Sequence, residues 1–590
     1  MSNWGTKLER TILVVSLIVI TSVITYGQDP TESIISVNNI SSWVRNDGFH
    51  PALVKEEGLD GNLWNGNFPI GTAGGVYSEG LVWGGKVYDG KDTLVRVNGN
   101  TYGAGNYPIS RLFRTRNDYK TVDLKDDAAK YFRVTLDQVT QQMIDAVYNQ
   151  YQKDWNEWPA DKGAPYDDKN KNGIYESNID IPGIPGAAQT VWISYDDRNS
   201  YNTYRSAQIG VEVQETYWAY NDNNKDNAIY KTAKLIYKGL PSSEANSHID
   251  SMYFSEFVDI DDGSYGDDFV GYDSSLNLGY VYNSVASDDI YKDYFSSSTP
   301  AIGYVFLHGV AAKTGNLSDS AIVNFKWRKG YKYFNSKPLT VFIAHASGGY
   351  FSDPALFSYD GTLQYYNMMR GYQPYPEYPA SQPFSDYNSN PIGGYGTYLY
   401  AGDPINKTGW YDGIMEPSGD RRMWLMSGPF SLQLGDTAEI STVLVGGLGS
   451  DNLNSITILK NNVNDAITGF YDLVGKLTEG YDFITGVVNT KNLPNKYLLY
   501  QNYPNPFNPT TTIKYELPKD AFVKLVVYDI LGREVRTLVN EQKSAGSYKV
   551  IFDGSNLPSG VYFYRITFTN LDSRYADDNL SKVNKLMLIK

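Results

Sequence analysis

From Thr190 to about Ser347 the chain is a succession of apolar or alternating runs cut by polar turns. That pattern commits most of it to β-structure. The runs are Thr190–Tyr195, Gly210–Tyr220, Ala228–Lys238, Ile249–Val258, Asn277–Tyr282, Ala301–Val310 and Leu339–Ala346. Each has the length of a strand, whose side chains alternate between two faces. Residues 35–118 add strand-like pieces such as Gly71–Val76 and Gly80–Val87. A content of 51 Tyr and 54 Gly suits short strands and turns better than helical bundles. At 590 residues the chain has room for about three to five folded units. The expected fold class is mainly β, a multi-domain β-sandwich protein with a few short helices.

Two helices are predicted. Thr135-x-x-Gln138 reads as a capping box, followed by Val139, Met143, Val147, Tyr151 and Trp155 at four-residue spacing, with Pro159 and Pro165 beyond. That stripe suits packing against a sheet. A second amphipathic stripe runs through Leu459, Val463, Ala466, Ile467, Phe470, Val474 and Leu477.

Composition excludes several functions. The balance of 51 basic to 66 acidic residues, a net charge of −15 with no Lys/Arg run, argues against nucleic acid as a partner. Zero cysteines exclude disulfides, thiolate nucleophiles, Fe–S clusters and Cys-ligated zinc. His50, His248, His308 and His345 are dispersed, and no Gly-x-Ser-x-Gly elbow occurs. Gly80 with Gly85-Lys86, and Gly85 with Gly90-Lys91, have phosphate-loop spacing, but Val87 and Asp92 stand where a hydroxyl is needed. Those glycines read as turns and bulges.

Hard cations are the better ligand class. Asp168, Asn170, Asn172, Ile174 and Glu176 occupy positions 1, 3, 5, 7 and 9 of an EF-hand-like loop, with Gly173 at the sharp turn and Asp180 one place past the twelfth position. An Asx-rich surface turn reads equally well there. A second acidic stretch holds Asp259, Asp261, Asp262, Asp267, Asp268 and Asp273. So many neighbouring carboxylates need either solvent or a metal, and Ca2+ is the cofactor expected. Tyr365 to Trp424 is rich in Tyr, Pro and Gly. Tyr375, Tyr378, Tyr398 and Trp410 are candidate glycan contacts for surface polysaccharide or lipopolysaccharide, with internal packing as the alternative.

The ends concern transport. Lys7 and Arg10, the apolar run Thr11–Ile24 and Thr25-Tyr26-Gly27 form a secretory signal, so residues 1–27 are expected to be removed. That run is shorter than the roughly 20 residues that span a bilayer, and no transmembrane segment is expected in the mature chain. From Leu498 onward Ile513, Tyr515 and Leu517, then Val523, Leu525 and Val527, then Tyr548, Val550 and Phe552, alternate between turns. About seven strands in roughly 90 residues describe an immunoglobulin-like sandwich.

Gln501–Pro509, Tyr528–Val535, Asn556–Arg565 and the terminal Lys585–Lys590 resemble the type A sorting domain of the type IX secretion system. Within them Pro504, Asn505, Pro506, Phe507, Gly532, Gly560, Val561, Tyr562, Lys585 and Lys590 carry the likeness. The resemblance implies an outer-membrane translocon and its sorting machinery as partners, with Sec export through the periplasm to the cell surface or medium. One departure is Leu571 to Val583, longer and more polar than the family's usual run into the last strand, which leaves that strand's pairing open. Through Asp180–Ala187, Gly210–Gln214, Gly266–Gly271 and Gly419–Arg422, the body also resembles a group of secreted type IX cargo proteins to which no activity is assigned.

The domains expected are a signal peptide (1–27), an N-terminal β-rich module (28–118), a helix with the Asp/Asn-rich loop (119–187), a large sandwich-like body (188–480), a linker (481–497) and the sorting domain (498–590). The function expected is a non-catalytic structural, adhesive or glycan-binding protein with calcium-braced loops. The alternative is a secreted carboxylate-dependent polysaccharide hydrolase. Deleting residues 498–590 should leave the protein in the periplasm; cell fractionation that finds the truncated chain on the surface would sink the export assignment.

Overall fold

The computed structural model describes residues 31–51, 66–90, 93–222, 225–295, 298–346, 353–478, 497–502, 505–518, 521–543, 546–570 and 579–589. The proposed signal peptide, most of the linker, Pro504 and Lys590 lie outside them. Two large antiparallel sheets are built from β1 (Phe49–Pro51), β2 (Ser78–Tyr88), β3 (Thr93–Gly99), β4 (Tyr107–Pro108), β5 (Phe113–Arg116), β6 (Gln189–Asp196), β7 (Val211–Ala219), β8 (Ala228–Tyr237), β9 (His248–Ile260), β10 (Asp268–Asp273), β11 (Leu278–Asn283), β12 (Ala301–His308), β13 (Val341–Ala346), β14 (Arg421–Gln433) and β15 (Thr437–Gly447). Four helices matter here: α1 (Lys125–Phe132), α2 (Gln141–Asn156), α3 (Tyr359–Met369) and α4 (Asn452–Leu477).

The six-stranded sheet runs β13-β14-β9-β2-β1, with β3 also on β2. The nine-stranded sheet runs β10-β11-β12-β15-β8-β7-β6-β4, with β5 also on β6. All seven strand runs expected between Thr190 and Ser347 are present. Within residues 28–118, Glu32–Ile35 and Ser42–Arg45 pair only with each other, but β1 to β3 complete one large sheet and β4 and β5 extend the other, so the boundary at 118 separates no two cores.

Period-2 alternation explains the layers. Leu81 and Trp83 of β2 and Phe254 and Val258 of β9 face Ile193, Tyr217, Leu235, Ile302 and Phe306 of the other sheet in one core. The outer face of the nine-stranded sheet, with Trp218, Tyr230, Val443 and Val445, lies under Leu459, Val463, Ala466 and Phe470 of α4. Asp451 caps α4 by accepting from Asn454 N at 2.8 Å. The shared core also holds Glu79, Glu215, Glu256 and Lys231, all buried.

Gly85 is a packing residue in β2, where a Cβ would come 2.7 Å from Ile249 Cγ2 and 3.0 Å from Met252 Cα. That agrees with a strand glycine and not a phosphate loop. The helix predicted from Thr135 starts later. Thr135 and Gln138 box a short turn over Leu136–Gln138, and Thr140 is the cap of α2. Its stripe packs on Tyr119, Leu124 and Ala128, the last on α1, in a small cluster of its own.

Among the described residues the C-terminal unit has seven strands: β16 (Leu498–Leu499), β17 (Thr510–Leu517), β18 (Ala521–Tyr528), β19 (Glu534–Lys543), β20 (Gly546–Asp553), β21 (Gly560–Asn570) and β22 (Asn579–Leu588). They form a three-stranded sheet β16-β17-β20 and a four-stranded sheet β19-β18-β21-β22 around Ile513, Tyr515, Val523, Leu525 and Phe568. β22 pairs with β21 from Asn579 to Leu588, so the polar departure before the last strand does not prevent its pairing.

Phe254 is fully buried and meets Phe306 edge-on, 6.3 Å between ring centroids, across the two sheets. Phe254→Ala should destabilise the body by about 3–5 kcal/mol, read as a lowered denaturant midpoint with unchanged slope.

Candidate functional site

On β9, Glu256 and Val258 point into the core, so Phe257 and Asp259 point to the opposite, outer face of the six-stranded sheet. Register then sets a cross-strand row. Asp259 stands opposite Arg422 of β14, and Arg422 stands opposite His345 of β13. Phe257 packs on Trp424 with centroids 4.7 Å apart, and Tyr102, from the loop after β3, covers Phe257 edge-on at 5.1 Å.

Past the end of β9 the chain delivers Asp261, and just before β14 it delivers Asp420. The loop carrying Asp420 is clamped by a buried pair: Arg421 Nε and Nη2 donate to Asp412 Oδ2 and Oδ1 at 2.8 and 3.1 Å. Asp412 Oδ2 also accepts from Val270 N at 3.0 Å, which ties the loop to β10. As a result, ligand atoms of Asp259, Asp261 and Asp420 all lie within 4.8 Å of one another, the one such acidic trio among the described residues.

Arg422 is the counter-charge. Its Nη1 lies 2.6 Å from Asp420 Oδ1, and its Nε lies 3.5 Å from Asp259 Oδ1 and 3.7 Å from Asp353 Oδ2. Nε also donates to the Tyr102 hydroxyl at 2.6 Å, and that hydroxyl donates to Asp353 Oδ1 at 3.3 Å. One guanidinium therefore serves several carboxylates. Asp259 Oδ1 is buried and makes no hydrogen bond. Burial first, opposed by Arg422 and reinforced by Asp261, Asp420 and Asp353, pushes Asp259 up to about 8. Burial and then Asp420 push Asp261 up to about 6. His345 is lowered to about 4 by burial, so its 3.5 Å approach to Asp353 is not an ion pair at neutral pH.

Sequence reasoning selected Asp259 and Asp261 and missed Asp420, Arg422, Tyr102 and Asp353. No local spacing marks them. Asp267 and Asp268 belong to a neighbouring buried group instead. Asp268 Oδ2 accepts from Asp262 N at 3.3 Å, and Asp262 accepts from the Tyr291 hydroxyl at 3.1 Å and from Asn283 Nδ2 at 3.3 Å. Burial and Asp262 raise Asp268 well above the carboxylate range.

The Asp168–Asp180 loop curls as an ion loop would, with Gly173 at φ +75°. Its polar groups close on each other, however. Asn170 Nδ2 and Asn172 Nδ2 both donate to Glu176 Oε2 at 2.8 Å, and Asp168 accepts from Asn172 N and Gly173 N. Asp180 accepts from Lys169 N at 2.9 Å and Glu176 N at 2.8 Å, acting as a backbone cap. Ile174 presents a 65% exposed side chain.

Three of the four candidate glycan aromatics are half-buried and packed against the core. Tyr398 stacks on Tyr272 at 4.6 Å, Trp410 meets Tyr400 at 5.2 Å, and Tyr378 lies edge-on to Tyr366 at 5.1 Å beneath Arg370. Tyr375 is exposed. Tyr365 and Tyr366 lie buried on α3, not in irregular chain.

The C-terminal motif residues do converge. Phe507 is buried, pairs with Leu588 in a parallel bridge, and donates its N–H to Met587 O at 2.9 Å. Asn505 Oδ1 accepts from Met587 N at 2.9 Å, and Asn505 Nδ2 donates to Lys585 O at 3.3 Å. Asn505-Pro506 is a cis peptide. Gly532 has φ +77°, closing the turn after β18, and the Tyr562 hydroxyl donates to Pro558 O at 2.8 Å. Gly560 and Val561 open β21 opposite Leu588 and Met587.

Residues 501–574 match the family described as Secretion system C-terminal sorting domain. This chain is type IX secretion cargo. The cargo protein is secreted or displayed at the cell surface after crossing the outer membrane. No curated protein matches it. Solved structures overlap weakly. A polysaccharide lyase is 8% identical over 65% of this chain and 35% of its own, with TM-score 0.18. Dimeric latent PorU from Porphyromonas gingivalis is 8% identical over 68% and 31%, with TM-score 0.14. The adhesin domain of Epf from Streptococcus pyogenes is 8% identical over 63% and 82%, with TM-score 0.13. The cargo protein thus spans about a third of the first two chains, and such overlaps transfer neither fold nor activity. Among the described residues no helix is long and apolar enough to cross a membrane.

The aspartate corner should be legible in a pH titration. A folded pKa of about 8 for Asp259, against roughly 3.9 unfolded, means the folded state holds the proton more tightly. That stabilisation is complete below about pH 4 and is lost as pH rises through about 8. In chelator, wild type should therefore lose stability relative to Asp259→Asn between those limits, by on the order of a few kcal/mol. Parallel melting curves for the two proteins across that range would contradict the geometry.

Proposed function

We propose that the body of this secreted protein is a non-catalytic, calcium-braced surface module serving a structural, adhesive or glycan-binding role. The observation that carries the reading is the trio Asp259, Asp261 and Asp420, whose ligand atoms lie within 4.8 Å of one another. With all three carboxyls ionised, the trio would outweigh the single Arg422 guanidinium in a partly buried corner. A hard divalent cation is the counter-charge that suits an all-oxygen donor set. With no sulfur or imidazole donor in the trio, the chemistry favours calcium over zinc or copper. The ion would lock the end of β9 to the loop before β14, which otherwise rests on the Arg421–Asp412 clamp. A brace of this kind suits a cysteine-free chain that works outside the cell.

A second reading is favoured by one feature. Asp259 holds its proton up to about pH 8 beside Asp353, whose side chain is 33% exposed on the same guanidinium. A protonated and a more accessible carboxyl side by side are what a carboxylate-dependent polysaccharide hydrolase would use.

Thermal unfolding of the mature full-length protein in calcium and then in chelator separates these readings. Calcium at 100 times its dissociation constant should add about 2.7 kcal/mol, and the Asp261→Asn/Asp420→Asn double variant should lose the shift. An unchanged melting temperature in wild type would overturn the brace and leave the hydrolase reading, tested by polysaccharide cleavage that Asp259→Asn abolishes. A full shift retained by the double variant would place the ion elsewhere, with the Asp168–Asp180 loop next to test.

A further inference from the structure

The space between the two large sheets holds ionisable side chains that neither export nor the aspartate corner employs. Lys231 projects inward from β8 and Glu256 from β9, so they belong to opposite sheets. Glu256 is fully buried and the Lys231 side chain is 7% exposed. Lys231 Nζ donates a short hydrogen bond to Glu256 Oε1, while Glu256 Oε2 has no hydrogen-bond partner.

Two more carboxyls close the group. Glu215 lies on β7, two residues from Tyr217, which stands opposite Lys231. Glu79 of β2 accepts from the Tyr304 hydroxyl. The Tyr217 hydroxyl donates to Glu215 Oε2 at 3.1 Å and lies 2.9 Å from His50 Nε2. Burial drives His50 well below its usual range and lifts Glu215 to about 7 and Glu256 likewise upward. Three carboxyls thus share one amine in a space walled by Tyr, Phe and aliphatic side chains. Glu256, Glu215 and Glu79 together outweigh burial and hold the Lys231 ammonium above its usual range, so the neutral amine arises only by proton transfer within the pair.

An amine and a carboxyl held in contact and away from water have an effective molarity on the order of 10⁵–10⁸ M. We propose that Lys231 and Glu256 condense to a side-chain amide that joins the two sheets covalently. The ammonium first passes a proton to the Glu256 carboxylate, leaving a neutral amine and a carboxylic acid. Lys231 Nζ then forms a bond to Glu256 Cδ, and the bond from Cδ to the hydroxyl oxygen breaks. That hydroxyl departs as water with one proton from Nζ, and the nitrogen keeps its last hydrogen. Glu215 ferries this proton from nitrogen to the departing oxygen. No oxidant or cofactor enters. The product removes a buried ion pair and supplies the cross-link that a chain without cysteine lacks.

Peptide mass mapping of the denatured mature protein tests this directly. The expected result is one linked species joining the peptides that contain Lys231 and Glu256, lighter than their sum by one water. Lys231→Met should give two separate peptides, and Glu215→Gln should slow linkage while leaving both reacting residues in place. Recovery of the two wild-type peptides unlinked, at full mass, would overturn the proposal and leave an ordinary buried ion pair. The wild-type map decides the matter even if Lys231→Met fails to fold.

Discussion

The structure turns on the two-residue period of β9. This strand lies at the centre of the six-stranded sheet, between β14 and β2, and each of its faces meets a different environment. Phe254, Glu256 and Val258 enter the core shared with the nine-stranded sheet, while Phe257 and Asp259 face outward under Tyr102 and α3. A one-residue slip would exchange these sets, placing Asp259 in the apolar core and Phe254 outside it. Register is therefore held by both faces at once. The same register aligns Asp259, Arg422 and His345 in a row.

Buried charge is handled in three different ways. Arg421 and Asp412 form a two-pronged pair whose donors and acceptors are matched, and it fixes a loop. At the neighbouring corner the guanidinium of Arg422 is divided among Asp259, Asp353, Asp420 and the Tyr102 hydroxyl, leaving carboxylate charge in excess. Between the sheets Lys231 is outnumbered by Glu79, Glu215 and Glu256. The desolvation of unpaired ions costs several kcal/mol each. Only the first arrangement is balanced within itself, and the other two are where chemistry beyond packing concentrates.

The sorting domain follows a simpler logic. Its lead-in segment does not dangle. Asn505 and Phe507 bind the backbone of the last strand, so the N-terminal entry and the C-terminal edge of this unit are stitched together. β19 and β22 are the outer strands of the four-stranded sheet, and Phe507 bridges to Leu588 of β22.

Periodicity and turn chemistry are local, and they determined the strand content, the α4 stripe and the sandwich form of the C-terminal unit, whose export role came from its likeness to the sorting-domain family. The seven runs between Thr190 and Ser347 all became strands, because alternation along a segment already states which side chains must be hidden. Where several local signals competed, the outcome was less direct: Thr135 caps a short turn and Thr140 starts the helix. The Asp168–Asp180 loop shows the same limit, since its spacing fits an ion but Asp180 is used by backbone amides. What only the tertiary structure decided is which distant residues meet. Asp420 joins Asp259 across some 160 positions of sequence because β14 pairs with β9. Tyr398 and Trp410, each half-buried, pack onto Tyr272 and Tyr400, since a ring face satisfies packing as readily as it would a sugar. Lys231 meets Glu256 because two sheets stack, and no one-dimensional pattern records which faces will be opposed.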